Sequence, residues 1–154
     1  MRIVLASDHG GYRLKEAVKA ALLSDKDRRF EVIDLGTNSE ASVDYPEYGK
    51  QAGGYIASGQ AERGIVFCGT GIGIAMAANK VKGVRCAVAT SDETVRLASA
   101  HNHANMLALG GRFIGTEDAL RYIDIWLGTP WEEGRHDRRV SMLDEMCIQK
   151  EEDN

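Results

Sequence analysis

Five short apolar runs punctuate the chain, at 3–6, 31–35, 64–68, 84–88 and 105–109, each followed by Gly, Ser, Thr or Asp. Short, mainly apolar runs of that length are what strands buried on both faces require. Between them the apolar spacing changes to a helical period. Leu14, Val18, Ala21 and Leu22 mark one stripe, with Lys15, Glu16 and Lys19 expected on the opposite, solvent side. Tyr48, Ala52, Tyr55 and Ile56 mark a second helix ending near Gly59, and 75–81, 93–100 and 117–127 predict three more, the last closed by Gly128 and Pro130. A polar stretch at 132–139 precedes a final helix predicted at 141–148. Strand and helix in alternation predict an α/β fold, a Rossmann-like three-layer α/β/α sandwich on a five-stranded parallel sheet. No linker or repeat divides the pattern. One domain is expected over 1–149, with 150–154 a frayed charged tail and the last helix reaching toward a partner subunit.

Composition narrows the class. The 154 residues are 44% hydrophobic and 27% charged, with net charge −4 and dispersed basic residues, which argues against a general nucleic-acid surface. No run approaches the ~18 apolar residues of a membrane span, and the apolar start is too short for a signal peptide. A cytoplasmic protein with no membrane partner is expected. Cys68, Cys86 and Cys147 are widely spaced, so neither a disulfide framework nor a structural zinc site is implied.

In an open parallel sheet, ligands bind at the carboxyl ends of the strands. There the sequence gathers Ser7-Asp8-His9-Gly10-Gly11, then Cys68-Gly69-Thr70-Gly71-Ile72-Gly73-Ile74, then Thr90-Ser91-Asp92, then Gly110-Gly111-Arg112. The alternate glycines of 69–73 let backbone N–H groups converge on an anion at a helix start. Two other readings remain open: a dinucleotide loop, with Asp92 as its ribose contact but the third glycine one residue early, and a tight turn without ligand. A cysteine at a strand end is by default a small buried hydrophobe. Beside helix N-terminal dipoles, Cys68 would instead favour thiolate and serve as a general base. Cys86 and Cys147 lack that setting and read as structural. Asp8 reads as a helix N-cap with His9 at the surface. Arg135-His136-Asp137-Arg138-Arg139 reads as a solvated basic face, or as a phosphate grip if it folds over the strand ends. His101 and His103 lack a third ligand at metal spacing in sequence, so no metal is assigned.

Taken jointly, Ser7-Asp8-His9-Gly10-Gly11-Tyr12-x-Leu14-Lys15, Asp44-Tyr45-Pro46, Cys68-Gly69-Thr70-Gly71-Ile72-Gly73-Ile74, His101-Asn102, Leu109-Gly110-Gly111-Arg112 and Gly134-Arg135-His136-x-x-Arg139 resemble type B ribose-5-phosphate isomerases, in the family shared with galactose-6-phosphate isomerase subunits. The resemblance spans 1 to about 145. It implies a cofactor-free and metal-free aldose–ketose isomerase of phosphorylated sugars, most plainly ribose 5-phosphate, acting through a cis-enediolate. It also implies a homodimer or tetramer with shared sites. Cys68 would move the proton, and the N–H groups of Gly69, Gly71, Ile72, Gly73 and Ile74 would hold the enediolate oxygen. Thr70 and His101 would open the sugar ring, His101 coming from the partner. Asp8, Tyr45 and Asn102 would hold hydroxyls at the reacting end; His9, Arg112, Arg135 and Arg139 would bind phosphate. Relatives without the cysteine carry a glutamate where this chain has Ile74. Ala75, Ser99, His103 and Glu133 depart from the common pattern, which leaves allose 6-phosphate or a tetrose phosphate as alternative substrates, and a non-catalytic sugar-phosphate-binding module as an alternative function.

Overall fold

The computed structural model describes residues 1–146. Cys147 and the expected tail at 150–154 lie outside the described residues. The elements run β1 (Arg2–Ser7), α1 (Tyr12–Ser24), β2 (Glu31–Asp34), α2 (Tyr45–Ala57), β3 (Arg63–Cys68), α3 (Ile72–Ala78), β4 (Cys86–Val88), α4 (Asp92–Ala100), β5 (Met106–Gly110), α5 (Thr116–Gly128) and α6 (Arg135–Glu145). The five strands form one parallel sheet in the order β2-β1-β3-β5-β4.

Side chains alternate across the pleat, and the two faces differ in size. Ile3, Leu5, Ile65, Phe67, Leu107 and Leu109 point to one face, where α1, α4 and α5 add Leu14, Val18, Val95, Ile123 and Trp126. Val4, Ala6, Val66, Cys68, Met106 and Ala108 point to the other, beneath α2 and α3 with Ala52, Ile74, Ala75 and Ala78. The second face is made of small residues, so its helices lie close together. A methyl group at Gly49 of α2 would stand 2.8 Å from Ile74 O and Ala77 Cβ of α3.

Because α1 leaves β1 for one face and α3 leaves β3 for the other, the connections diverge between two adjacent strands. That divergence opens a crevice at the carboxyl ends of β1 and β3, where such folds seat their ligands.

Three expectations are corrected. Lys15 is fully buried rather than on the solvent side of α1. Its Nζ donates to both Asp34 oxygens at 2.8 Å and to Glu16 Oε1 at 2.7 Å, and a buried ammonium is tolerated only with such partners. Helix α3 begins at Ile72, earlier than 75–81 predicts, since Gly71 supplies the turn into it. Helix α6 begins at Arg135 rather than 141, because the polar residues of 135–139 form its first turns, exposed except for His136. The expected end of that helix at 148 lies outside the described residues.

Candidate active site

At the carboxyl end, three loops lock together through backbone contacts. Asp8 N donates to Phe67 O at 3.1 Å, and Gly111 N and Arg112 N donate to Cys68 O and Gly69 O at 2.8 and 3.0 Å. The Asp8 side chain does not cap α1 as expected. Its Oδ1 accepts from Gly10 N at 2.9 Å and Gly11 N at 3.2 Å, shaping the turn before the helix, whose cap position is Gly11. Below this turn lies the Lys15 cluster. Asp34 Oδ1 accepts from Gly36 N, while Gly36 O and Thr37 N bond to both backbone groups of Ser7 at 2.7 and 2.8 Å. Burial pushes the Asp34 carboxyl up, but hydrogen bonds from Lys15, Lys19 and Gly36 outweigh it and hold the group below its ordinary value. A buried ion pair thus props the strand end that carries Asp8 and His9.

Cys68 lies 4% exposed at the end of β3, and its Sγ accepts a hydrogen bond from Gly71 N at 3.1 Å. Gly71 has φ +80°, a conformation open to glycine at little cost, and this residue turns the amide back onto the sulfur. Thr70 Oγ1 accepts from Ile72 N at 3.2 Å. The first helical bond of α3 runs from Ala75 N to Gly71 O, so the N–H groups of Gly73 and Ile74 precede the ladder and remain available as donors among the described residues. The Arg112 guanidinium lies against the Gly69 backbone and the Tyr45 ring against that of Gly73. His9 Nδ1 accepts from Val43 N at 3.2 Å, which fixes that nitrogen as unprotonated. Asp8, His9, Tyr45, Cys68, the 69–74 loop and Arg112 therefore share one end of the sheet.

His101, Asn102, Arg135 and Arg139 do not join them. A helix that comes after a parallel strand runs back along it, so the end of α4 lies at the sheet's amino end. His101 caps α4 there. Glu132 N donates to Ala100 O at 2.9 Å, the His136 ring stacks on His101 at 4.2 Å, and Arg85 pairs with Asp144 at 2.7 Å. These contacts hold α6 across the amino ends of β4 and β5. Within one chain, the arginine cluster does not fold over the carboxyl ends of its own strands. Asn102 lines a separate cleft of about 370 Å³ with Gly83, Arg85 and Leu143.

Asp92, the ribose contact of a dinucleotide loop, is tied to Arg121 at 2.9 Å. Cys86 is buried, and burial pushes its thiol up to about 12, so it stays protonated and inert. Glu132, which sequence reasoning assigned no role, and His136, read there only as part of the basic cluster, meet His101. Their i, i+4 spacing on one side of the α6 start was the only signal for them. No helix among the described residues is long and apolar enough to cross a membrane.

The sheet and its crevice define an α/β protein with a glycine-rich backbone loop beside a buried cysteine. Residues 3–143 match the Ribose/Galactose Isomerase family, and the chain belongs to that family. It is 42% identical over 142 residues to the ribose-5-phosphate isomerase B of Escherichia coli K12, spanning 92% of this chain and 93% of that protein. It is similar in structure to the ribose-5-phosphate isomerase B of Clostridium thermocellum, with TM-score 0.90 and 47% identity over 95% and 97% of the two chains. The Mycoplasma genitalium enzyme, solved with bound ribulose-5-phosphate, aligns with TM-score 0.86 and 38% identity over 94% of each chain.

Proposed function

We propose that this chain is an aldose–ketose isomerase converting ribose 5-phosphate to ribulose 5-phosphate, with Cys68 as the base. The observation that carries the reading is the hydrogen bond from Gly71 N to Cys68 Sγ, which sets the sulfur against the 69–74 loop at the same end of the sheet as Asp8. In the open-chain aldose, Sγ takes the proton from C2 and the C2 electrons form the C1=C2 bond. The former carbonyl oxygen becomes an oxyanion facing the loop N–H groups. Return of the proton from Sγ to C1, with transfer of the C2 hydroxyl proton to the O1 oxyanion, leaves a carbonyl at C2 and a hydroxyl at C1 and completes the ketose. Thr70 serves ring opening, Asp8 and Tyr45 hold hydroxyls, and His9 and Arg112 grip phosphate. Neither metal nor cofactor enters these steps.

The remaining roles need a second copy of the chain. His101, Asn102, Arg135 and Arg139 sit at the wrong end of their own sheet to reach their own Cys68. A partner packed with its amino end over this crevice supplies them and forms a shared site in a homodimer. An apolar face suits that packing. Exposed Ile72 and Met76 line an open hollow with Cys86 and Val88 of β4, whose outer edge is unpaired, and Phe113 is 78% exposed nearby. Helix α6, reaching out from the layers, carries the arginines to the partner. A charged sugar phosphate does not cross a bilayer unaided, which supports the reading of a cytoplasmic enzyme.

Turnover of ribose 5-phosphate, measured as ribulose 5-phosphate formation, tests the reading against allose 6-phosphate and tetrose phosphates. Preference for the pentose by kcat/KM is expected. Binding of all of them without turnover would leave a sugar-phosphate-binding module.

A further inference from the structure

Three metal-ligating side chains meet at the amino end of the sheet. His101, Glu132 and His136 each offer one ligand atom, all within 4.8 Å of one another. Glu132 Oε2 lies 3.4 Å from His101 Nε2 and 3.9 Å from His136 Nε2. With zinc bonds of about 2.0–2.1 Å in tetrahedral array, ligand atoms stand roughly 3.3 Å apart, so small movements close the set. Two imidazoles and one carboxylate are a donor set that zinc takes, leaving one position open.

We propose that His101, Glu132 and His136 form a binding site for a divalent transition metal ion of the zinc class, and that its occupancy inhibits the enzyme by withdrawing His101. The inhibitory half rests on the shared-site reading above; the binding half does not.

The mobility of the three ligands is graded. His136 is buried, 4% exposed, and holds its place. His101 ends a helix with a third of its side chain exposed, and Glu132 has more than half exposed. The two rings are stacked, 14° from parallel, so their lone pairs do not yet converge. His101, a third exposed, would have to turn about its side-chain torsions to meet an ion held by the other two. The Arg135 guanidinium, whose Nε lies 3.4 Å from His136 Nε2, opposes a cation. That repulsion and the turning of His101 weaken the site, which suits reversible capture at micromolar metal rather than a resident ion.

Cobalt(II) titration of the purified protein tests the site, because its visible bands report nitrogen and oxygen ligation of low coordination number while a thiolate ligand adds an intense near-ultraviolet band. One equivalent per chain is expected, without the thiolate band and displaced by zinc. Glu132→Gln, at an exposed position safe for folding, and His136→Gln should each weaken binding by about tenfold or more. Zinc should inhibit the wild type, a chelator should restore it, and Glu132→Gln should resist inhibition relative to its own metal-free rate. Absence of binding, a thiolate signature, or affinity unchanged in both variants overturns the site. Binding that the variants abolish but that leaves turnover untouched overturns the inhibition, and with it the role of His101, while leaving the metal site standing.

Discussion

The two ends of the sheet are built from different materials. The carboxyl end is backbone: loops from β1, β3 and β5 bond to one another through amides, and the sulfur of Cys68 is addressed by a main-chain N–H. The amino end is side chain: a stacked histidine pair, a carboxylate between them, and arginines on an exposed helix start. A backbone site is rigid and cannot reach; a side-chain site reaches but must be held from outside. An isomerisation needs both, fixed dipoles where charge develops and a mobile acid and grip that arrive with the substrate. The proposed joining of one chain's carboxyl end to another's amino end would supply both.

The sharpest break in that comparison is Cys68→Ala. It removes the proposed base and spares the 69–74 loop, so turnover should fall roughly 10²- to 10⁴-fold while calorimetric affinity for ribulose 5-phosphate changes little. Undiminished turnover would remove Cys68 from the mechanism.

Lys15→Met probes the support beneath the carboxyl end. Asp34 and Glu16 lose their buried partner, and a loss of about 3–5 kcal/mol is expected, reduced in part because Lys19 still reaches Asp34 at 2.7 Å. A thermal midpoint within a degree of wild type would refute the idea that this ion pair props the strand end.

Gly71→Ala should cost about 1–2 kcal/mol, since alanine resists φ +80°. It should also swing the amide off the sulfur and lower kcat more than it raises KM. An equal effect on binding alone would detach the turn from the chemistry.

The smallest effect separates the ends by pH. Burial lowers the proton affinity of His136 and His103, so the unfolded chain binds more protons and stability declines as pH falls through about 6.5, levelling off once the folded groups also protonate. Hydrogen bonds from Lys15 hold Glu16 below its ordinary value, and Asp34 is held low as well, so a second decline sets in as pH drops below about 4. Thermal midpoints against pH should show both steps, with the upper one reduced in His136→Gln. An unchanged upper step in that variant would assign it elsewhere.

The layers and the crevice are legible in the sequence because they depend on apolar period and on the residues at each strand's carboxyl end. Ile3, Leu5, Ile65 and Phe67 read as buried, and Cys68 with its glycines falls at a strand end by spacing alone. Lys15 is misplaced by helical phase, which puts a lysine outside unless a partner from another strand is known, and Asp34 lies 19 residues away. The start of α6 escapes detection because its first turns are polar on every side but His136, and period says little about a helix that buries so narrow a stripe. The separation of His101 from Cys68 is a matter of helix direction. Motif order along the chain does not reveal it, and the parallel topology does.

The shared site is tested most directly by subunit exchange. Cys68→Ala and His101→Ala proteins should each be nearly inactive alone. Mixed in equal amounts and exchanged, half the dimers are hybrids, and each hybrid holds one site with both residues intact. Activity should recover to about a quarter of wild type. No recovery after exchange has been verified by mass spectrometry would contradict the account.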